Sequence, residues 1–193
     1  MDMPKGYNET QGFSDYTPLA PGGYVCKIIK LEEMQSSTGK PMIKVALDIA
    51  EGPEAGRFRE QFDADTRDEK KWPCVAYQLV TDGMGVTTRG FKGFNMSLEE
   101  SNDGWKPVWG DAYAANCKNK LIGVIFGREE YENRDGELRW ITKPQFFRSA
   151  DTIRKGDFRV PEDKHLPTFK EKDQKPDAAV PEGFAQLDDD IPF

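Results

Sequence analysis

Between Met42 and Glu51, Ile43, Val45, Leu47 and Ile49 alternate with Lys44, Ala46 and Asp48. A period of two kept over this length belongs to a β-strand with one dry face and one wet face. The chain just before it, Tyr24 to Gln35, is centred on Val25-Cys26-Lys27-Ile28-Ile29-Lys30-Leu31 and is rich in β-formers. Ser36-Ser37-Thr38-Gly39-Lys40-Pro41 separates the two as a dense turn signal. The result is an antiparallel hairpin, and the rest of the chain must cover its apolar face.

The remaining segments extend the same pattern. Arg57 to Phe62 reads as a third strand, with Arg57, Arg59 and Gln61 on one face and Phe58 and Phe62 on the other. Trp72 to Val80 fits either an alternating strand (Val75, Tyr77, Leu79) or a helix. In Arg89 to Ser101 the spacing of Phe91, Phe94 and Leu98 suits one helix face. Asn119 to Arg128 is apolar enough for a central strand, and Asn133-Arg134-Asp135-Gly136 is a hairpin turn leading into a strand from Glu137 to Arg148. Ser149 to Val160 reads as a short helix. The expected fold is mainly β: a five-stranded OB-fold-like barrel with one helix between strands 3 and 4. Another small barrel or sandwich fits the same strand count. The expected organisation is a loose lead-in over 1–21, the barrel domain over 22–160, a disordered linker over 161–187 and an acidic tip over 188–193.

The net charge of -7 argues at first against a nucleic-acid binder. Its distribution does not. From Pro161 onward four lysines face nine acids, whereas Arg139 to Arg159 holds six basic residues and two acidic ones. The chain is an acidic tail on a nearly neutral body with a basic strip. Cys26, Cys74 and Cys117 are odd in number and far apart, which points to reduced, buried thiols and away from disulfides or zinc. The lack of a signal pattern or a long apolar run leads to the expectation of a soluble, cytoplasmic protein.

The tip Asp188-Asp189-Asp190-Ile191-Pro192-Phe193 carries its own chemistry. Proline biases Ile191 towards an extended backbone. Phe193 sets a large ring beside a terminal carboxylate, which an apolar pocket with a basic lip would hold. The aspartates would steer the encounter. A tail kept only for solubility has no reason to end in an aromatic. This tip resembles that of bacterial single-stranded DNA-binding proteins, and the resemblance implies docking of replication, recombination or repair enzymes. The body resembles a poorly characterised family of phage and prophage single-stranded DNA-binding proteins. Gly22-Gly23-Tyr24-Val25-Cys26-Lys27-Ile28, Phe91-Lys92-Gly93-Phe94 with Glu99-Glu100-Ser101-Asn102, and Arg154-Lys155-Gly156-Asp157-Phe158 carry that likeness.

Single-strand binders combine a basic groove with aromatic platforms. The candidate cations are Lys44, Arg57, Arg59, Arg139 and Lys143; the candidate platforms are Trp72, Tyr77, Trp105, Trp109 and Trp140. For each aromatic the competing role is core packing, and for each cation an ordinary solvated face. The one histidine, His165, lies at the start of the linker, and Gly83-Met84-Gly85 lacks the lysine of a phosphate loop. The expectation is therefore a binding protein with no catalytic residues, metal or cofactor. The alternative is an interaction protein that copies the tip to compete for host repair or replication proteins and does not itself bind DNA.

Overall fold

The computed structural model describes residues 3–4 and 17–167. The strands are β1 (Gly22–Gln35), β2 (Pro41–Ile49), β3 (Val75–Leu79), β4 (Leu121–Glu132) and β5 (Leu138–Arg148). The helices are α1 (Arg57–Ala64), α2 (Arg89–Ser101), α3 (Tyr113–Cys117) and α4 (Ala150–Arg154). The hairpin of β1 and β2, the helix α2, the strands β4 and β5 and the short α4 all fall where the sequence places them. The tip, residues 168–187 of the expected linker, and residues 1–2 and 5–16 of the lead-in lie outside the described residues.

One element is corrected. Arg57 to Phe62 is not the third strand; it begins helix α1, and the third strand is Val75–Leu79. Phe58 and Phe62 are four apart, so a helix face accommodates them as well as a strand face does. What decides the matter lies elsewhere in the chain. Asp48, a solvated-face position of β2, is only 7% exposed. Its Oδ1 accepts the N–H groups of Phe58 at 3.1 Å and Arg59 at 3.4 Å. Those are orphan donors of the first helical turn, and a carboxylate there also answers the helix dipole. The residue at the N-cap position itself, Gly56, has φ 80 and offers no side chain. The cap therefore comes from the neighbouring strand.

The sheet is antiparallel throughout, in the order β3-β2-β1-β4-β5. It is open, because β3 and β5 share no ladder. Helix α2 packs against β3, β4 and β5 at that gap. Thr88 caps its start by accepting the Phe91 N–H at 3.1 Å. At the far end, the Asn102 side chain accepts from Leu121 N–H and donates to the Leu121 carbonyl, which ties the helix to the root of β4.

The core lies on the inner face. Cys26, Ile28 and Leu31 of β1, Ile43, Val45, Leu47 and Ile49 of β2, and Ile122, Val124 and Phe126 of β4 meet Phe58, Phe91, Phe94 and Leu98 from the helices. The alternation in β2 is thus the burial pattern, save that Met42 and Asp48 are buried as well. A smaller cluster on the other face joins Val25, Ile125, Ala150 and Ile153 under α4. Two glycines make that cover possible. A Cβ on Gly123 would stand 2.6 Å from the Ser149 carbonyl oxygen, and one on Gly23 would stand 2.5 Å from the Phe158 ring. Bulges interrupt the ladder at Ile28/Lys30 in β1 and at Ile125/Phe126 between β4 and β5, where such irregularities bend a sheet. No helix among the described residues is long and apolar enough to cross a membrane.

Candidate functional site

Among the described residues, three groupings of cation and aromatic form on this scaffold. The first sits where α1 meets the chain leading into β3. The Trp72 indole N–H donates to the Leu47 carbonyl at 2.7 Å, which fixes the ring at the end of β2. The Arg59 guanidinium lies 4.9 Å from that ring's centre, and Phe62 lies 5.2 Å from it on the same helix. Lys70 reaches the Phe62 ring at 5.7 Å. Arg59 is exposed and Trp72 half-buried, so a cationic and aromatic surface faces solvent. Spacing on a strand would have put Arg57 and Arg59 side by side. The helix separates them.

Arg57 consequently does something else. Its side chain is only 16% exposed, with Nη1 2.5 Å from Glu54, and Nη2 donates to the Thr17 carbonyl. It ties the incoming chain to α1 and is not presented to a ligand as expected.

The second grouping lies on the outer face of the β1–β2–β3 hairpins. Lys44 stands between Glu32 of β1 and Tyr77 of β3 in the register. Its ammonium is 3.3 Å from Glu32, which also binds Lys30 at 2.6 Å. Side-chain hydrogen bonds from Lys30 and then Lys44 hold the Glu32 carboxyl below its ordinary range. Two lysines against one glutamate leave this row positive, beside a half-buried tyrosine.

The third grouping is on the β4–β5 arm. The Arg128 guanidinium lies 4.7 Å from the centre of the Trp140 ring. Arg128 had no place among the residues expected from sequence. The signal that would have found it is register, since Arg128 pairs with Thr142 and Glu130 with Trp140, which puts Arg128 and Trp140 on one face. Lys143 is on the opposite face, 3.7 Å from Glu129, and Arg139 is engaged with Glu137 at 2.8 Å.

Two tryptophans part company. Trp105 is 5% exposed, and its indole N–H donates to the Asn116 carbonyl. It is a core residue, and burial leaves it no free face for a base, contrary to the expectation from its irregular surroundings. Trp109 is 64% exposed and lies parallel to Tyr113, with ring centres 5.4 Å apart and planes 6° from parallel. One face of the indole is thus backed by an aromatic ring, which fixes its orientation. Tyr113 is itself anchored through its hydroxyl to Asn95 Oδ1 at 3.0 Å.

The cysteines are free and buried. Desolvation raises the thiols of Cys26 and Cys74 far above the usual range and pushes Cys117 up to about 11. They are packed as small apolar groups. Gly23 of β1 meets the ring of Phe158, which follows α4. Arg154 holds Glu51 through Nε at 3.1 Å and Nη2 at 2.6 Å. That neighbourhood is architectural. Comparison with known proteins finds no family model and no curated protein that matches this chain.

Proposed function

We propose that this protein binds single-stranded DNA without sequence preference, with no turnover, and recruits replication, recombination or repair proteins through Asp188 to Phe193. One observation carries the reading: aromatic rings that stay partly exposed are repeatedly flanked by cations. Trp72 has Arg59, Trp140 has Arg128 and Tyr77 has Lys44. Nonspecific single-strand binding requires that combination, because any base can stack on an indole and any phosphate can meet a cation.

The fold supports the same reading. We infer an OB-like barrel left open at one seam. Its supports are the strand order, the antiparallel pairing and the helix set between β3 and β4 and leaning on the seam. The docking role of the tip rests on its sequence. An acidic, aromatic end on a tether raises the local concentration of whatever it holds.

Intrinsic tryptophan fluorescence during titration with poly-dT, at two salt concentrations, tests the proposal. Stacking should quench emission, and added salt should weaken binding in proportion to the phosphates contacted. Duplex DNA of equal length should bind far more weakly. An absence of binding to poly-dT at low salt refutes the proposal and leaves the tip-mimic alternative.

A further inference from the structure

β1 pairs with β4 only from Leu121 to Phe126. Beyond that point β4 and β5 run on as a two-stranded arm, and the open edge of β4 takes up a strap of chain around Lys164. The Lys164 N–H donates to the Arg128 carbonyl at 2.9 Å, and the Glu130 N–H donates to the Lys164 carbonyl at 2.8 Å. This is one parallel rung. The residues on either side of it turn towards the Arg128–Trp140 pair. Asp163 approaches the Arg128 guanidinium at 3.4 Å. The His165 ring meets the Trp140 ring at 4.9 Å between centres, at 80°, with Nδ1 3.3 Å from Glu130. The Arg128 Nε is buried with no hydrogen-bond partner among the described residues.

We propose that Arg128 and Trp140 form a notch for one nucleotide of single-stranded DNA, and that Asp163 and His165 occupy it as a resident competitor. The carboxylate stands where a phosphate would go, and the imidazole where a base would go. This rests on the DNA-binding reading above and adds the site and its regulation. An indole beside a guanidinium matches the two halves of a nucleotide, a flat heterocycle and an anion.

The strap is held weakly. It has one rung of backbone pairing, a Leu166 N–H donating to Glu130 at 3.2 Å, and ion pairs from Arg128 to Asp163 and from Lys164 to Glu129 that are partly exposed and so add little. The imidazole lies edge-on, whereas a base can stack in parallel over the larger ring. The strap also leads directly into the acidic tail, so a nucleotide entering the notch detaches the root of that tail from the arm. A strap closed nine times in ten would weaken the apparent affinity of the notch about tenfold.

The test is fluorescence anisotropy of labelled oligo-dT with the full chain, comparing wild type with Lys164→Pro, His165→Ala and Trp140→Ala. Proline removes the N–H that donates to Arg128, one of the rung's two hydrogen bonds, together with the Lys164–Glu129 ion pair. It also removes a positive charge, so simple electrostatics predicts weaker binding, whereas loss of a competitor predicts tighter binding. The expected result is a gain of roughly three- to tenfold for Lys164→Pro. His165→Ala leaves the backbone intact and should gain about two- to threefold. Adding Trp140→Ala to either should erase the gain. Equal or weaker binding by both strap variants, with wild type still binding oligo-dT, overturns the competitor. No binding by any variant overturns the DNA-binding reading instead.

Discussion

Replacing Asp48 with alanine isolates the contact that makes Arg57–Ala64 a helix. The carboxylate accepts three backbone N–H groups: Ile49 at 3.0 Å, Phe58 at 3.1 Å and Arg59 at 3.4 Å. Losing a helix cap costs about 0.5–2 kcal/mol. Leaving a buried donor without a partner costs about 1–3 kcal/mol. The two overlap, and the Arg59 contact is long, so a total of about 2 kcal/mol is expected. In a chain of this size that lowers Tm by about 4–8 °C. Asp48→Asn keeps an acceptor oxygen in place and should cost about half as much or less. The assay is thermal unfolding followed by near-ultraviolet circular dichroism, which reports the Phe62–Trp72 contact as well as the global transition. The Arg59 N–H is among the freed donors, so fraying loosens first the residue that lies over Trp72. Melting of Asp48→Ala within about 1 °C of wild type would falsify the claim that β2 caps α1.

Four further outcomes are expected. Gly123→Ala forces a methyl group into the Ser149 carbonyl and the Ile153 side chain; chemical denaturation should register a loss of about 3 kcal/mol. Arg59→Ala should weaken poly-dT binding and flatten its salt dependence by about one unit of slope, while Arg57→Ala should act on stability and leave that slope alone. Arg154 holds the Glu51 carboxylate below its ordinary range, chiefly through its hydrogen bonds. That contribution is complete above the ordinary glutamate value and is lost as pH falls through the lowered one, so Glu51→Gln should flatten the acid limb of a stability–pH profile below about pH 4.5. Deleting Phe193 should abolish capture of a docking partner and leave poly-dT affinity unchanged or slightly raised; loss of both in one titration would show the two roles to be inseparable.

Elements whose cause is local were legible in the sequence. The buried face of β2 follows from its alternation. The β4–β5 turn follows from Asp135-Gly136, with Gly136 at φ 78, and α2 follows from the stripe of Phe91, Phe94 and Leu98. Helix α1 was misread because its cap comes from Asp48, across a turn, and because Arg-Phe-Arg also alternates as a strand would. The candidate site was legible in part for the same reason. Composition pointed to Trp72, Tyr77, Trp109 and Trp140. It could not distinguish Trp105, whose indole finds the Asn116 carbonyl in the interior, or Arg57, whose charge is spent on Glu54 and Thr17. Arg128 emerged only from the pairing of two strands.

The seam between β1 and β4 has a consequence for synthesis. Gly22 is opposite Phe126 and Lys27 opposite Leu121, partners roughly a hundred residues apart along the chain. The first hairpin is complete at Ile49, so at ribosomal speed it waits about 4–15 s for its permanent neighbour. Throughout that interval the β1 edge from Gly22 to Lys27 lacks its pairing partner, so a chaperone- or crowding-sensitive yield should depend on how quickly the second half emerges.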